Sequence, residues 1–308
     1  DYTTDPDNPI TGQVWYNETA NTLKYFYINP GSWATGGALN TARSTLAGAG
    51  TQTAALAFGG FDPSVPGSTA ITESYNGTAW TEVNDLGTAR YAMGGAGTQT
   101  AALAFGGRAP PLGVVALTET WNGTNWTEVN DLNTARRYLA GAGTNTAALA
   151  FGGGPGSSAL TESWNGTNWT EVNDLNTGRA NLAGVGIQTA ALAFGGNTPT
   201  ITGATESWNG TSWTELNDLN TARYRLAGAG TQTSALAFGG ETPTITAITE
   251  TWNGTNWTEV ADLNTARKQL AGAGTNTAAL GFGGDVPPHT GATEEWNAGP
   301  ATVTITTD

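Results

Sequence analysis

The chain of 308 residues repeats one sequence unit six times, and this repetition constrains the fold more than any other feature. The first half of the unit reads TARxxLAGAGTQTAALAFGG, and its successive arginines are 47, 46, 43, 44 and 44 residues apart. The second half reads TESWNGTNWTEVNDLN. A period of this length is typical of repeat architectures. The units begin near residues 41, 88, 134, 177, 221 and 265.

Each unit predicts four short strands. The segments xxLAGAG and TAALAFGG give strands A and B, and TESW and NWTEV give strands C and D. The Asn-Gly pair between strands C and D predicts a type I′ hairpin turn, in which both central residues have positive φ. Four strands per period indicate a propeller blade. The sequence therefore predicts an all-β, six-bladed propeller with four antiparallel strands per blade.

Small and large residues are divided between the predicted strands. Strand A is rich in Gly and Ala, which suits the centre, where blades converge. Strands C and D carry aromatic residues, and we expect these to pack between blades, since each large ring buries much apolar area. Exposed platforms for sugar stacking are the alternative. The aromatic residues are Tyr75 and Trp80, Trp121 and Trp126, Trp164 and Trp169, Trp208 and Trp213, Trp252 and Trp257, and Trp296.

The ends of the chain differ from the repeats. We divide the chain into an N-terminal hairpin or attachment segment, residues 1–30, and the propeller, residues 31–308. Trp33 occupies the second-Trp position of the repeat, so the simplest prediction is that an N-terminal strand completes the last blade. The C-terminal ATVTITTD also alternates like a strand, and it is a competitor for that place or an additional outer strand.

Composition excludes several classes of function. Lys and Arg number 11 against 25 Asp and Glu, for a net charge of −14, which disfavours binding to nucleic acid or an anionic membrane. With no Cys and a single His, His289, the sequence offers neither disulfides nor a His-rich metal site. No apolar run is long enough to insert into a membrane. Because the carboxylates recur in every unit, we expect them to be structural and not catalytic, and we also expect no metal or cofactor.

Six arginines recur at equivalent positions. One interpretation is a ring of charges that attracts an anion. The other, which we favour, is a structural ring paired with carboxylates, either the Asp five residues before it or the Glu of strand C. The arginines are Arg43, Arg90, Arg136, Arg179, Arg223 and Arg267.

Variation between the units is concentrated in two places, the B–C loops and the two residues after each repeated arginine. In a propeller both lie on one face, near the channel mouth, opposite the nearly constant A–B and C–D turns. Several variable residues are of types enriched in binding hot spots, although drift at exposed positions is the alternative. The candidate binding residues are Tyr91, Arg137, Tyr138, Asn181, Tyr224, Arg225, Lys268 and Gln269.

The Gly pair that ends strand B and the aromatic pair that follows it resemble those of kelch-repeat propellers, although the aromatic pair here is more closely spaced. Near the N-terminus, GQVWYN and NTLK resemble a hairpin of tail-fibre and other virion proteins of tailed bacteriophages. These resemblances imply a virion or extracellular location and association with other virion proteins. They imply a non-enzymatic structural or adhesion module that binds a cell-surface glycan or protein.

Two other functions stay open. One is a secreted bacterial propeller for carbohydrate binding or surface display. The other is an enzyme of the kelch-like oxidase or mutarotase type, although the Cys and His ligands of that oxidase family are missing. The Asn-Gly-Thr segments also match the N-glycosylation sequon, but the turns explain them without glycans.

Overall fold

A computed structural model describes residues 1–65 and 67–305. Within these residues the chain forms the predicted six-bladed β-propeller, and each blade is a four-stranded antiparallel sheet. The described residues include no helix long and apolar enough to cross a membrane.

The strands follow the repeat. An N-terminal pair comprises β1 (Val14–Asn17) and β2 (Thr22–Gly36). Blade 1 comprises β3 (Ala47–Gly50), β4 (Ala55–Phe58), β5 (Thr72–Tyr75) and β6 (Trp80–Val83). Blade 2 and its B–C loop comprise β7 (Gly94–Thr98), β8 (Ala101–Phe105), β9 (Arg108–Ala109), β10 (Gly113–Val114), β11 (Thr118–Trp121) and β12 (Trp126–Val129). Blade 3 comprises β13 (Ala140–Gly143), β14 (Ala148–Phe151), β15 (Thr161–Trp164) and β16 (Trp169–Val172).

The remaining blades continue the pattern. Blade 4 and its B–C loop comprise β17 (Ala183–Ile187), β18 (Ala190–Phe194), β19 (Asn197–Thr198), β20 (Thr200–Ile201), β21 (Thr205–Trp208) and β22 (Trp213–Glu215). Blade 5 comprises β23 (Ala227–Thr231), β24 (Ser234–Phe238), β25 (Thr249–Trp252) and β26 (Trp257–Val260). Blade 6 contains β27 (Ala271–Gly274), β28 (Ala278–Phe282) and β29 (Thr293–Ile305), which are joined by β2.

The innermost strands of neighbouring blades approach too closely for side chains on the facing positions. A Cβ atom on Gly141 of blade 3 would lie 2.5 Å from the Phe105 ring and 2.6 Å from the Gly95 carbonyl oxygen of blade 2. Gly48 and Gly272 are blocked in the same way. Glycine is therefore required on strand A because the ring of strands closes through backbone contact.

Apolar packing lies between the blades. Each blade interface holds its own buried cluster, in which the Trp of strand D meets the Phe of the preceding blade. The Trp169 ring centroid lies 5.0 Å from that of Phe105, and Trp169 Nε1 donates to Thr118 Oγ1 at 3.1 Å. The same bond links Trp213 to Thr161 and Trp257 to Thr205. These Trp rings are thus inter-blade contacts and not exposed stacking platforms.

The C–D turns differ from the type I′ prediction. Tyr75 and Trp80 pair across a four-residue loop in which Gly77 has φ of 89°, whereas Asn76 is not in the positive-φ region. The Asn76 side chain instead accepts the backbone N–H groups of Thr78 and Ala79 at 3.0 Å. The prediction of two positive-φ residues was wrong because the Asn side chain closes the loop.

Blade 6 is completed by the N-terminal strand, as the position of Trp33 predicted. Trp33 pairs with Trp296 across β2 and β29, and its ring lies 4.9 Å from Phe238 of blade 5. The described part of the C-terminal segment, residues 301–305, neither competes for this place nor adds an outer strand. Residues 301–305 lengthen β29 and pair with β2, while residues 306–308 lie outside the described part. The predicted boundary after residue 30 falls within β2.

Beyond Asn297, β29 continues where the other blades make their C–D turn. Its last residues, the first half of β2 and β1 together form a three-stranded sheet, which we call the arm. Because the C–D turns lie on the face opposite the variable loops, the arm leaves the propeller from that opposite face.

We expect Trp33→Ala to lower the free energy of unfolding by about 3–5 kcal/mol, because it empties a packed site at the closing strand. Tyr25→Ala lies on the same strand, but Tyr25 is 36% exposed on the arm, so we expect a change within about 0.5 kcal/mol. Urea denaturation followed by Trp fluorescence compares the two variants. A loss for Trp33→Ala no larger than that for Tyr25→Ala would contradict the role of Trp33 in closing blade 6.

Candidate functional site

The centre of the variable face is a closed ring of backbone hydrogen bonds. In each blade the second residue after the repeated arginine has φ between 51 and 59°, although none of the six is Gly. Each donates its N–H to the carbonyl oxygen of its counterpart in the preceding blade, at 2.7 to 2.9 Å. We call these residues the inner ring. They are Thr45, Ala92, Tyr138, Asn181, Arg225 and Gln269.

The inner ring surrounds a cavity of about 100 Å³ at the mouth of the channel. Five of the six ring residues are polar, and the other lining residues are Ala92, five Leu and one Met. No carboxylate occurs among the described residues that line it. Polar groups around an apolar floor are typical of sites for small polar ligands. The floor is formed by Leu46, Met93, Leu139, Leu182, Leu226 and Leu270.

A second circle of residues lies outside the inner ring. The first residue after each repeated arginine forms an antiparallel bridge with the residue that follows the Gly pair. Tyr224 thereby faces Glu241, and Lys268 faces Asp285. The residue types at both positions change from blade to blade, so this circle gives the face its asymmetry.

Three predicted residues meet at one carboxylate between blades 5 and 6. Arg225 Nη1 and Lys268 Nζ both contact Glu241 Oε2, at 2.9 and 3.0 Å. The Arg225 guanidinium also lies 4.9 Å from the centre of the Tyr224 ring. Burial by itself raises the pKa of Glu241. Hydrogen bonds from Lys268 and Tyr224 and the positive charges of Lys268 and Arg225 together outweigh burial, so the pKa of Glu241 is lowered from its ordinary value.

The other predicted residues form separate groups. The Arg137 guanidinium lies 5.2 Å from the centre of the Tyr138 ring, and Asn181 Nδ2 donates to Asn197 Oδ1 at 2.9 Å. Tyr91 contacts Phe61 with ring centroids 5.7 Å apart. Gln269 joins the inner ring through its backbone. The predicted residues are all half-buried on one face, but they are spread around the mouth.

The sequence reasoning missed Glu241, Phe61, Asn197 and His289 as neighbours of the predicted residues. The Phe61 ring centroid lies 5.5 Å from that of His289, across the contact between blades 1 and 6. A usable signal existed, because the residue after each Gly pair varies as strongly as the residues after each arginine. In each blade the end of strand B pairs with the start of strand A. Recognising this pairing in the sequence would have placed the residue after each Gly pair beside the residues after each arginine.

The six repeated arginines lie beneath this face and are at most 1% exposed. Each contacts the strand-C Glu of its own blade, with nitrogen–oxygen distances of 2.9 to 3.3 Å. The Asp residues considered as partners serve elsewhere, since Asp131 accepts the Thr118 backbone N–H at 2.9 Å. Burial lowers the pKa of the six guanidinium groups, and the paired Glu charges oppose that shift.

The paired Glu residues bind a second partner as well. Glu162 accepts Arg136 through one oxygen at 2.9 Å, and its other oxygen accepts the backbone and side-chain N–H groups of Asn133 at 2.7 and 2.9 Å. The pairs therefore tie the D–A loop to strand C and are structural contacts. Within residues 1–65 and 67–305, no group of three acidic or His side chains is arranged to hold a metal ion.

Comparison of the chain with models of protein families and with curated proteins gave no match.

Glu162→Gln should lower the free energy of unfolding by about 3–5 kcal/mol, because it leaves the buried Arg136 charge without its counter-charge. Glu171 provides a matched control, since it faces Glu162 in the register of β15 and β16 but is exposed to solvent. Glu171→Gln should change stability by no more than about 0.5 kcal/mol. Similar effects of the two substitutions in urea denaturation would contradict the structural role of the pair.

Thr45→Gly should stabilise the protein by about 1 kcal/mol, because a β-branched residue at positive φ is strained and Gly is not. Asn181→Gly at the equivalent position should have little effect, since Asn tolerates this conformation. Thermal unfolding of both variants distinguishes the two cases. A Thr45→Gly variant that is no more stable than the Asn181→Gly variant would contradict strain at the inner ring.

Proposed function

We propose that this chain is a non-enzymatic structural and adhesion module, a propeller of a virion tail or fibre that binds a cell-surface glycan or protein through its variable face. One observation carries the proposal. Differences between the six blades are concentrated on one face, and the arm leaves from the opposite face. This arrangement is the one expected of a module that attaches through one face and recognises its ligand through the other.

One resemblance supports the virion assignment. The Gly pairs and aromatic pairs resemble those of kelch-repeat propellers, but that scaffold serves many functions and bears on the fold alone. The segment around Trp15 and Tyr16 resembles hairpins of phage tail-fibre proteins, and it lies in the arm. The proposal therefore places the module in a virion or outside the cell.

The arm supports attachment to another protein of the same particle. One of its faces is apolar, and five of its side chains are 36 to 53% exposed. On its other face the N-terminal segment contacts Trp15 and Lys24, where Asp5 accepts hydrogen bonds from Trp15 Nε1 at 3.1 Å and Lys24 Nζ at 2.6 Å. Exposed apolar sheet faces of this kind mark interaction sites. The exposed side chains are Val14, Leu23, Tyr25, Val303 and Ile305.

We propose no enzyme activity because the carboxylates of the repeat serve structural contacts. The strand-C Glu residues hold buried arginines, and the D–A loop Asp residues hold backbone N–H groups, in a pattern that repeats around the ring. Acid–base chemistry needs a pair with distinct environments, which such repetition does not favour. A secreted bacterial propeller that binds carbohydrate is the alternative, and it differs from the first proposal in lacking association with a virion.

Binding to a glycan array and to candidate host cells tests the proposal. We compare the parent chain with a variant in which Tyr91, Tyr138, Tyr224 and Arg225 are changed to Ala. We expect binding by the parent and a loss of at least about tenfold in the variant, because these residues supply the aromatic and guanidinium contacts of the face.

A matched control changes four exposed Thr residues of the opposite face, Thr124, Thr167, Thr211 and Thr255, to Ala. This control should bind like the parent, and thermal unfolding should show that both variants are folded. Absence of binding by the parent, or an equal loss in both variants, would exclude the variable face as the recognition surface.

A further inference from the structure

The positively charged residues of the propeller have an uneven distribution. Of the 11 Lys and Arg residues, six are the buried arginines of the structural pairs, and Lys24 lies in the arm, paired with Asp5 at 2.6 Å. The other four are all in the second circle, the inner ring or the B–C loops. They are Arg108, Arg137, Arg225 and Lys268.

Acidic residues have the opposite distribution. The outermost strands carry an exposed Glu in five blades, and an exposed Asp follows it in the loop. The cations therefore favour an anion at the mouth over one at the acidic rim. The exposed Glu residues are Glu82, Glu128, Glu171, Glu215 and Glu259.

The local charge balance at the mouth is also positive. Glu241 is shared by Arg225 and Lys268, so two cations face one carboxylate. Arg137 forms no ion pair within the described residues, and its contact is with the Tyr138 ring. Two further carboxylates lie in the B–C loops, Asp62 and Asp285, so that with Arg108 included four cations near the mouth face three carboxylates. Asp62 Oδ1 accepts hydrogen bonds from the backbone N–H and the hydroxyl of Ser64 in its own loop. Asp285 Oδ1 lies 3.5 Å from His289 Nδ1.

The groups around the cavity fit a sugar that carries an acid group. Arg225 is the single charged residue among those that line it, and the polar residues Tyr138, Asn181, Gln269 and Thr45 belong to the same lining. Only one guanidinium nitrogen of Arg225, Nη1, is used by Glu241. A guanidinium binds a carboxylate or sulfate strongly, while hydroxyl and amide groups suit sugar hydroxyls.

We propose that the ligand of this face is an acidic glycan, whose carboxylate or sulfate is bound at the channel mouth by Arg225, with Lys268 and Arg137 adding to the attraction. This inference rests on the proposed function, because it names the class of glycan that the variable face recognises.

The test uses an array of sialylated, uronate-containing, sulfated and neutral glycans, together with each bound carboxylated glycan reduced to its alcohol. We expect binding to acid-bearing glycans, a loss of about tenfold on carboxyl reduction, and weakening as salt is raised. Carboxylated and sulfated glycans distinguish the two sources of the acid group, and binding of either one supports the proposal.

Three single substitutions test the charges. Arg225→Gln should weaken acidic-glycan binding about tenfold, because it removes the charged donor. Glu241→Gln should strengthen it about threefold, because it removes the carboxylate that competes with the ligand. Lys24→Gln removes one positive charge from the arm and should leave binding unchanged. Thermal unfolding checks that the variants fold.

Two results would overturn the proposal in different ways. Equal binding to a carboxylated glycan and its alcohol, unaffected by Arg225→Gln, would refute the acid requirement and leave a recognition face for neutral sugars. If the parent chain binds no glycan on the array and also binds no host cell, the proposed function itself is refuted.

Discussion

The close approach of the six innermost strands is the constraint on which the rest of the structure depends. Gly141 touches the backbone of the neighbouring blade at Gly95, and a single added Cβ would collide with it. Strand A must therefore be small, which leaves the bulk of the apolar packing to the outer strands. Trp169 on Phe105 is one instance of that packing. The narrow centre also brings the inner-ring residues close enough for their backbone hydrogen bonds to close around the mouth.

The buried Arg–Glu pairs follow from the same geometry. Each blade has to hold its D–A loop against strand C while the loop supplies the next innermost strand. Glu162 does this by binding Arg136 and Asn133 together. Such a pair is costly to break, and it fixes the position from which the two variable residues of the mouth project. The repeated network is thus a platform that tolerates changes in the residues above it.

The seam between blades 1 and 6 shows how the repeat adapts where the chain closes. Blade 1 carries Tyr75 where the other blades have Trp, and its hydroxyl donates to Glu295 Oε1 of blade 6 at 2.6 Å. Burial, followed by the bond to Glu295, raises the pKa of Tyr75 to about 12. The phenol therefore stays protonated and keeps its donor at the seam. The arm extends from blade 6, so the strand that closes the propeller and the proposed attachment surface belong to the same sheet.

The sequence by itself determined the blade number, the four-strand unit, the order of the strands and the closing role of Trp33, because a regular period fixes packing between identical neighbours. It also placed the variable residues on one face, because strand alternation assigns each loop to a side. The tertiary structure alone decided that Arg225 and Lys268 share Glu241, that Tyr91 meets Phe61, and that β29 extends into the arm. These contacts join residues of different repeats or different ends of the chain. Their side-chain directions depend on how the ring closes, which no local pattern encodes.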